Sequence, residues 1–227
     1  MTTETNAEIE TIAVFGATGK TGRHVVRHAL DRGYKVRALA RRPEQLAIPD
    51  ERLTVIKGDF EDIPALADTV NGAAYVICCA GGPSGKHYEP GMMIAFIRRL
   101  WPLLDAQPVL RVFLFQSVIF APDTDGKLPT WLKILAPAAA YLSGNTQMLK
   151  DNTAVTQFIG ASSPRSFNTI VTRPGAIAEK PGGVALRADQ KNGSLSPITF
   201  ADLGAFTVDS LKNSSLYETC PFIVPAR

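Results

Sequence analysis

An apolar run near the start of this chain leads into a glycine-spaced loop, and the loop opens into an amphipathic pattern. Residues 12–15 are apolar, and Gly16, Gly19 and Gly22 follow them. Gly16 permits a sharp turn, Gly19 lets backbone approach a pyrophosphate, and Gly22 lets a helix lie close to the strand. Free N–H groups at the start of that helix then face the phosphates. The pattern predicts a dinucleotide-binding loop, and its predicted contacts are Gly16, Thr18, Gly19, Lys20, Thr21 and Gly22.

Two other types of loop contain glycines at a similar spacing. Lys20 and Thr21 follow Gly19 as in the phosphate loop of nucleotide triphosphatases, but that loop needs a glycine where this chain has Val14. This excludes a kinase or ATPase of that type. An ordinary glycine-rich turn is the remaining alternative, and the order of strand, loop and helix at the start of the domain favours the dinucleotide site.

Composition and charge indicate one globular domain. The chain has 227 residues, of which 45% are hydrophobic and 20% charged. We assign residues 11–227 to the domain and 1–10 to a disordered or loosely ordered tail. The net charge of +3 is carried by dispersed basic residues, so we expect no nucleic-acid partner. The sequence contains no secretory leader pattern and no apolar run of about 20 residues, so we expect a cytoplasmic protein without a membrane partner.

The cysteine pattern argues against a disulfide or a metal centre. Cys78 and Cys79 are adjacent in an apolar run, and Cys220 is alone. Buried cysteines of a reducing compartment have this distribution. We therefore expect no metal. We also expect the protein to be a monomer or a homodimer.

Strand and helix patterns alternate along the chain. Most predicted strands are continuous apolar runs, as buried parallel strands require. The predicted strands are 11–15, 35–40, 53–57, 74–80, 111–118, 168–173 and 222–224. The predicted helices are 19–32, 63–70, 91–106, 145–161 and 199–212, with a kink or a break at Pro102. This alternation predicts an α/β fold with a doubly wound parallel sheet, whose ligands bind at the carboxyl ends of the strands.

Further ligand-binding residues are therefore expected in the loops that follow these strands. Arg41 and Arg42 follow the second strand, where an acidic residue usually marks NAD; arginine there accommodates a 2′-phosphate, so we predict NADP(H), with solvated surface arginines as the alternative. Asp59, followed by Phe60, is placed to meet the adenine or to hold a turn. Three small residues after the fourth strand would let the chain pass the nicotinamide ribose; they are Ala80, Gly81 and Gly82.

These segments, taken together, resemble the atypical short-chain dehydrogenase/reductases, in particular the NmrA-like and biliverdin/flavin-reductase-like NAD(P)-binding proteins. The resemblance is carried by residues 16–22, 36–41, 58–59, 113–117, 172–177 and 198–203. It implies a single Rossmann-fold domain. It also implies that the backbone after the sixth strand holds the nicotinamide carboxamide, at Pro174, Gly175, Ala176 and Ile177. Ser117, at the end of the fifth strand, would then face the nicotinamide ring, unless it only caps the next turn.

The chain departs from this family at the catalytic pair. Catalytic members carry a tyrosine and, four residues later, a lysine on one helix face. Counting back from Arg173 places Met148 and Asn152 at those positions. Tyr141 is a second candidate acid, and Lys150 a candidate ribose contact at the wrong spacing.

Without this pair, the proton donor is open. Ser117 orients a carbonyl or relays a proton through water, and His87 has a pKa suited to acid–base work if its loop folds inward; an exposed loop histidine is the alternative. Segments near 83–91, 121–145 and 178–197 are expected to cover a small-molecule substrate.

We therefore expect an NADP(H)-dependent reductase of a conjugated or otherwise activated metabolite. The alternatives are an NADP(H)-binding regulatory sensor without catalysis, and an isomerase or cyclase that keeps its cofactor unchanged.

Overall fold

Apolar strands form a central sheet whose two faces are covered by helices. The computed structural model describes residues 9–81, 88–162 and 165–226. Within them, eight strands form one sheet in the order β3-β2-β1-β4-β5-β6-β10-β8. The strands of this sheet are β1 Thr11–Phe15, β2 Lys35–Ala40, β3 Leu53–Lys57, β4 Tyr75–Cys78, β5 Val112–Gln116, β6 Asn168–Pro174, β8 Leu186–Asp189 and β10 Phe222–Pro225. Neighbours are parallel except β8, which pairs antiparallel with β10, so the expected α/β doubly wound fold is confirmed with one antiparallel edge strand.

Helices on the two faces form two separate hydrophobic cores. The helices are α1 Lys20–Asp31, α2 Ile63–Val70, α3 Met92–Asp105, α4 Thr130–Leu142, α5 Thr146–Ala161 and α6 Phe200–Asp209. Side chains of α2, α3 and α5 pack on one face of the sheet, and those of α1 and α6 on the other. Strand residues alternate between the two cores, as the side-chain period of two requires. The two small strands β7 Ile177–Ala178 and β9 Ile198–Thr199 pair outside the main sheet.

Most of the predicted helices and strands lie at the residues predicted for them. The differences are at Pro102, in the apolar segment that forms α4, and at β8. The sequence predicts a kink or a break at Pro102, and the break does not occur, because α3 continues through this residue as one helix. Helix α4 was expected only as an apolar covering segment, and it also contains an internal proline, Pro137. Strand β8 lies inside the segment 178–197, which the sequence suggested as a cover for the substrate.

Candidate dinucleotide site

The loop after β1 requires glycine at Gly16 and Gly22, and it has little space for a side chain at Gly19. Gly16 has a φ of 80°, and a Cβ there would lie 2.6 Å from the Ala80 nitrogen. A Cβ on Gly22 would lie 2.1 Å from the Gly16 carbonyl oxygen, so the helix approaches the loop more closely than any side chain allows. Gly19 meets only the Gly16 oxygen, at 3.2 Å, and is exposed. The loop therefore presents bare backbone at the start of α1.

The start of α1 suits an anion. No side chain caps the helix at Gly19, and its first turn contains no acidic residue. Its first N–H groups and its dipole are therefore available to a phosphate, and Gly19 brings no side chain between them and such a ligand. Lys20 Nζ lies 2.6 Å from Glu179 Oε2, a solvent-exposed ion pair that joins this loop to the chain after β7. These features fit the pyrophosphate of a dinucleotide.

The arginines after β2 are exposed and carry no counter-charge. Arg41 and Arg42 directly follow Ala40, the last residue of β2. In the described ranges, neither arginine forms an ion pair, and no carboxylate occupies the strand end. The Arg42 guanidinium faces the Gln45 side-chain amide, whose oxygen accepts from Nε and Nη2 at 3.2 and 3.3 Å. Among the described residues the Arg41 guanidinium has no such partner, so its donors are free for a phosphate group.

Asp59 and Phe60 have structural partners in the loop after β3. One Asp59 carboxylate oxygen accepts from the backbone nitrogens of Glu61 and Asp62, at 2.8 and 3.2 Å. The Phe60 ring stacks on Phe96 of α3 with centroids 4.0 Å apart. Asp59 thus holds the turn before α2, which was one of its two expected roles.

The loop after β4 is described only in part. Ala80 is buried against the glycine loop, and Gly81 is exposed, with no atom of the described residues within 4 Å of where its Cβ would stand. The predicted cofactor contact Gly82 and the candidate acid His87 lie outside the described residues.

Ser117 and Asn152 form a buried pair at the end of β5. Asn152 of α5 donates from Nδ2 to the Met148 carbonyl oxygen at 3.0 Å, which turns its Oδ1 toward Ser117. The Ser117 hydroxyl donates to that oxygen at 3.2 Å. Because the amide oxygen only accepts, the Ser117 proton is directed at the protein, and its oxygen lone pairs remain for a ligand. Met148 and Asn152 therefore occupy the expected positions but supply no acid.

The loop after β6 is covered by a later segment. A Cβ on Gly175 would lie 2.3 Å from the Ser194 carbonyl oxygen, so only glycine fits beneath that chain. The Pro174 and Ala176 carbonyl oxygens accept from Ile119 and Ile198 nitrogens, each at 2.9 Å. Ile177 pairs with Ile198 in the small sheet. This backbone is held rigidly beside the end of β5.

The two remaining candidates, Tyr141 and Lys150, lie together and away from Ser117. Tyr141 is 80% exposed near the end of α4. Lys150 precedes Asn152 by two helical positions, which is a rotation of about 200° around α5. With Asn152 facing β5, Lys150 faces outward, and both Tyr141 and Lys150 line a cavity between α4 and α5.

A buried carboxylate, which the sequence analysis missed, joins α5 to α3. Asp151 is 4% exposed and accepts from the Tyr88 hydroxyl at 2.6 Å and from the Met93 and Ile94 nitrogens at 2.8 and 3.0 Å. It thereby caps α3 from another helix. Burial, followed by the hydrogen bond to Asp151, raises the pKa of Tyr88 far above its usual value. The sequence pattern of α5 alone does not show these contacts, because the partners of Asp151 come from α3 and from Tyr88.

Arg173 is a buried cation that braces the loop after β5. It is 2% exposed, donates from Nε to the Cys220 carbonyl oxygen at 2.9 Å, and lies 3.8 Å from the centroid of the Phe222 ring. Its Nη1 reaches the Ala121 carbonyl oxygen at 3.3 Å. Burial lowers the pKa of Arg173 from its usual value. Arg173 thus links β6, β10 and the chain that follows Ser117. It is one of the residues 172–177 that carry the family resemblance in the sequence.

The described ranges contain neither a metal-binding cluster nor a membrane-spanning helix. No three histidine, cysteine, aspartate or glutamate side chains there are grouped so that they could hold a metal ion. No helix in the same ranges has the length and apolar character needed to span a membrane.

The fold and the glycine loop agree with the protein family that the chain matches. Residues 16–214 match a protein family described as NAD(P)H-binding. The chain belongs to this NAD(P)H-binding family. The matched segment begins at Gly16 and includes the loops at the carboxyl ends of β1 to β6.

Individual relatives of this NAD(P)H-binding chain are distant. An oxidoreductase of Pestalotiopsis microspora is 25% identical over 215 residues, which are 88% of this chain and 79% of that protein. Other curated relatives reach 31 to 43% identity, but the chain spans only 20 to 34% of their length. A Lactobacillus casei structure has a TM-score of 0.73 at 19% identity, covering 96% of this chain and all of that one. The anaerobillin reductase ChuY of Escherichia coli O157:H7 gives 0.68 at 16% identity, covering 94% of this chain and 96% of that one.

Proposed function

We propose that this NAD(P)H-binding protein is an NADP(H)-dependent reductase of a small conjugated or otherwise activated molecule, an atypical member of the short-chain dehydrogenase/reductases. The observation that carries the proposal is the orientation of the Ser117–Asn152 pair at the expected nicotinamide position. The oxidoreductase from Pestalotiopsis microspora supports redox chemistry as the reaction class.

Cofactor binding is assigned to the carboxyl edge of the sheet. The loop from Gly16 to Gly22 and the start of α1 hold the pyrophosphate, and Arg41, with Arg42 beside it, holds the 2′-phosphate. The backbone from Pro174 to Ile177 holds the carboxamide. Bound NADPH supplies the hydride that the acceptor carbon takes up.

The residues near the hydride acceptor favour a substrate that needs no strong acid. Reduction of an isolated ketone creates an alkoxide, which requires a proton donor in the transition state. Ser117 directs its proton to Asn152 and offers only lone pairs, and Met148 replaces the usual tyrosine. A conjugated acceptor spreads the charge of the added hydride over several atoms and takes its proton from water afterwards. Flavins, quinones, tetrapyrroles and unsaturated carbonyl compounds are acceptors of this kind.

A panel of acceptors tests the reaction class. NADPH absorbance is followed with a flavin, a quinone, biliverdin and a conjugated enone, and with a saturated ketone of similar size as the matched control. We expect oxidation of NADPH with at least one conjugated acceptor and none with the saturated ketone. Turnover of the saturated ketone alone would contradict the role given to Ser117.

Substitution of Arg41 tests the cofactor. We expect Arg41→Ala to weaken NADPH binding about 10- to 100-fold, the effect of one charged phosphate contact. NADH binding should change less than about twofold, since NADH lacks the 2′-phosphate. Calorimetric titration of both nucleotides measures this, and equal losses for the two would overturn the assignment of Arg41.

A second candidate is a regulatory sensor of NADP(H) redox state. The same observation favours it, because a serine whose proton is held by the protein is a poor catalytic group. A sensor binds NADP+ and NADPH with different affinities and oxidises NADPH with no acceptor of the panel. A third alternative, a non-redox isomerase or cyclase, would convert its metabolite with no net change in NADPH.

A further inference from the structure

We propose that the cavity between α4 and α5 binds a small, mainly apolar molecule that carries a carboxylate or a similar anionic group. The cavity has a volume of about 540 Å³ and is lined, among others, by Leu128, Lys133, Ala136, Ala140, Leu149 and Lys150. This volume is in the range of small-molecule sites in proteins. The proposal does not depend on the reductase activity proposed above.

The walls of the cavity are apolar. Ala136 and Ala140 lie one turn apart on the buried side of α4, and Leu128 and Leu149 face them from the preceding loop and from α5. A ligand with a flat or elongated hydrocarbon body removes this surface from water and gains the hydrophobic free energy of its own burial.

The charged groups of the cavity have one sign. Lys133 comes from α4 and Lys150 from α5, and among the described residues no acidic side chain lines the cavity. Among the salt bridges of residues 9–81, 88–162 and 165–226, none includes either lysine. Two unpaired ammonium groups on an apolar cavity favour an amphipathic anion over a neutral or cationic ligand.

The start of α5 adds to the positive potential. Thr146, the first residue of this helix, also lines the cavity, and the first turn of the helix contains no acidic residue. The dipole of a helix places partial positive charge at this end. The anionic group of the ligand is therefore expected near Lys150 and the first turn of α5.

The cavity is distinct from the Ser117–Asn152 pair. Neither residue of the pair lines it. Asn152 faces β5, whereas Leu149 and Lys150 lie on the sides of α5 that turn toward α4 and outward. Tyr141 and Lys150, which had been candidates for catalysis and cofactor binding, acquire a common place at this second site.

Two naphthalene probes separate the apolar and the charged contributions. Anilinonaphthalene sulfonate carries one negative charge, and N-phenyl-1-naphthylamine has almost the same rings without it. We expect both to bind the full-length protein with enhanced fluorescence. The double variant Lys133→Gln/Lys150→Gln should weaken the sulfonate at least tenfold and the neutral amine less than twofold, because only the charged contact is lost.

Matched variants identify the place of binding. Lys127→Gln removes a nearby exposed lysine that pairs with Asp125, and it should leave both probes unchanged. Ala140→Trp should fill the cavity and abolish both. Ile134, 71% exposed on the outer side of α4, is the control for adventitious surface binding. Unchanged sulfonate binding in the double lysine variant, or loss with Ile134→Glu but not with Ala140→Trp, would overturn the proposal. Far-ultraviolet dichroism and NADPH titration confirm that each variant is folded.

Discussion

At the scale of single residues, the buried carboxylate of Asp151 makes a contribution to stability that can be tested. Its carboxylate meets three donors, two of them the N–H groups at the start of α3. We expect Asp151→Asn to lower the free energy of unfolding by about 2–4 kcal/mol, because the amide brings an NH₂ group against donors and leaves a buried hydrogen bond unmade. Urea denaturation measures the loss.

The partner of Asp151 supplies the matched control. Tyr88→Phe removes only the hydroxyl donor and should lower the free energy of unfolding by about 1 kcal/mol. If the asparagine variant were as stable as the phenylalanine variant, the capping of α3 would not be the source of its stability contribution.

At the residue scale, counting along the sequence gives positions but not contacts. Met148 and Asn152 were located from their distance to Arg173, and the hydrogen bond between Asn152 and Ser117 was not part of that prediction. The direction of the Ser117 proton was not predictable, because it depends on how the Asn152 amide is oriented by the Met148 carbonyl oxygen. The role of Asp151 was not predicted for a similar reason. Its partners are Met93 and Ile94 of α3, and Tyr88, which lies in the loop before α3.

At the scale of elements, the contact between the glycine loop and α1 makes a sharp prediction. We expect Gly22→Ala to lower the free energy of unfolding by at least about 3 kcal/mol, or to prevent folding, because its Cβ would lie 2.1 Å from the Gly16 oxygen. Gly81→Ala is the control, since no described atom lies within 4 Å of its added Cβ. Its stability should stay within about 0.5 kcal/mol of the parent. Thermal denaturation followed by circular dichroism compares the two variants.

The turn after β8 gives a pH dependence of stability. Backbone N–H groups of Asn192 and then Lys191, with Arg187 beside them, lower the pKa of Asp189 to about 2. A lowered folded-state pKa contributes stability above the unfolded value near 3.8 and loses it as the pH falls toward 2.

Asp189→Asn tests this turn. We expect the variant to be less stable by about 1 kcal/mol at pH 7, through weaker hydrogen bonds to the turn. The difference from the parent should shrink between pH 4 and pH 2 and remain constant above pH 5. A difference that grew on acidification would contradict the assignment.

Element prediction depended on how regular the local pattern is. The first three strands and α2 were predicted at their observed limits because their apolar periods are clean. Helix α4 was not predicted as a helix, since residues 128–142 are apolar on most sides and contain Pro137. Strand β8 was missed because its stability comes from antiparallel pairing with β10, a partner distant in the sequence.

At the scale of the whole molecule, cofactor binding should stabilise the fold. A ligand present at 100 times its Kd adds about 2.7 kcal/mol, which corresponds to roughly 5–10 °C in Tm for a domain of this size. We expect NADPH to give this shift and NADH at the same concentration to give a smaller one. Differential scanning fluorimetry measures both, and no shift with either nucleotide would contradict cofactor binding.

The fold as a whole was predictable because the carboxyl ends of parallel strands meet at one edge. This topological rule predicted that the residues of six separate loops lie at one edge, without any knowledge of their contacts. It could not predict that the chain at Ser194 covers Gly175, because that contact depends on the path of a long irregular segment.

The pairing of β8 with β10 also means that the main sheet is completed late in synthesis. Residues 186–189 gain their hydrogen-bonding neighbour only from residues 222–225. A nascent chain that has already emerged through α5 therefore has its glycine loop and Ser117 but lacks the anchor for the segment that crosses Gly175. The wall formed by the segment over Gly175 is therefore completed only after the last strand has been synthesised.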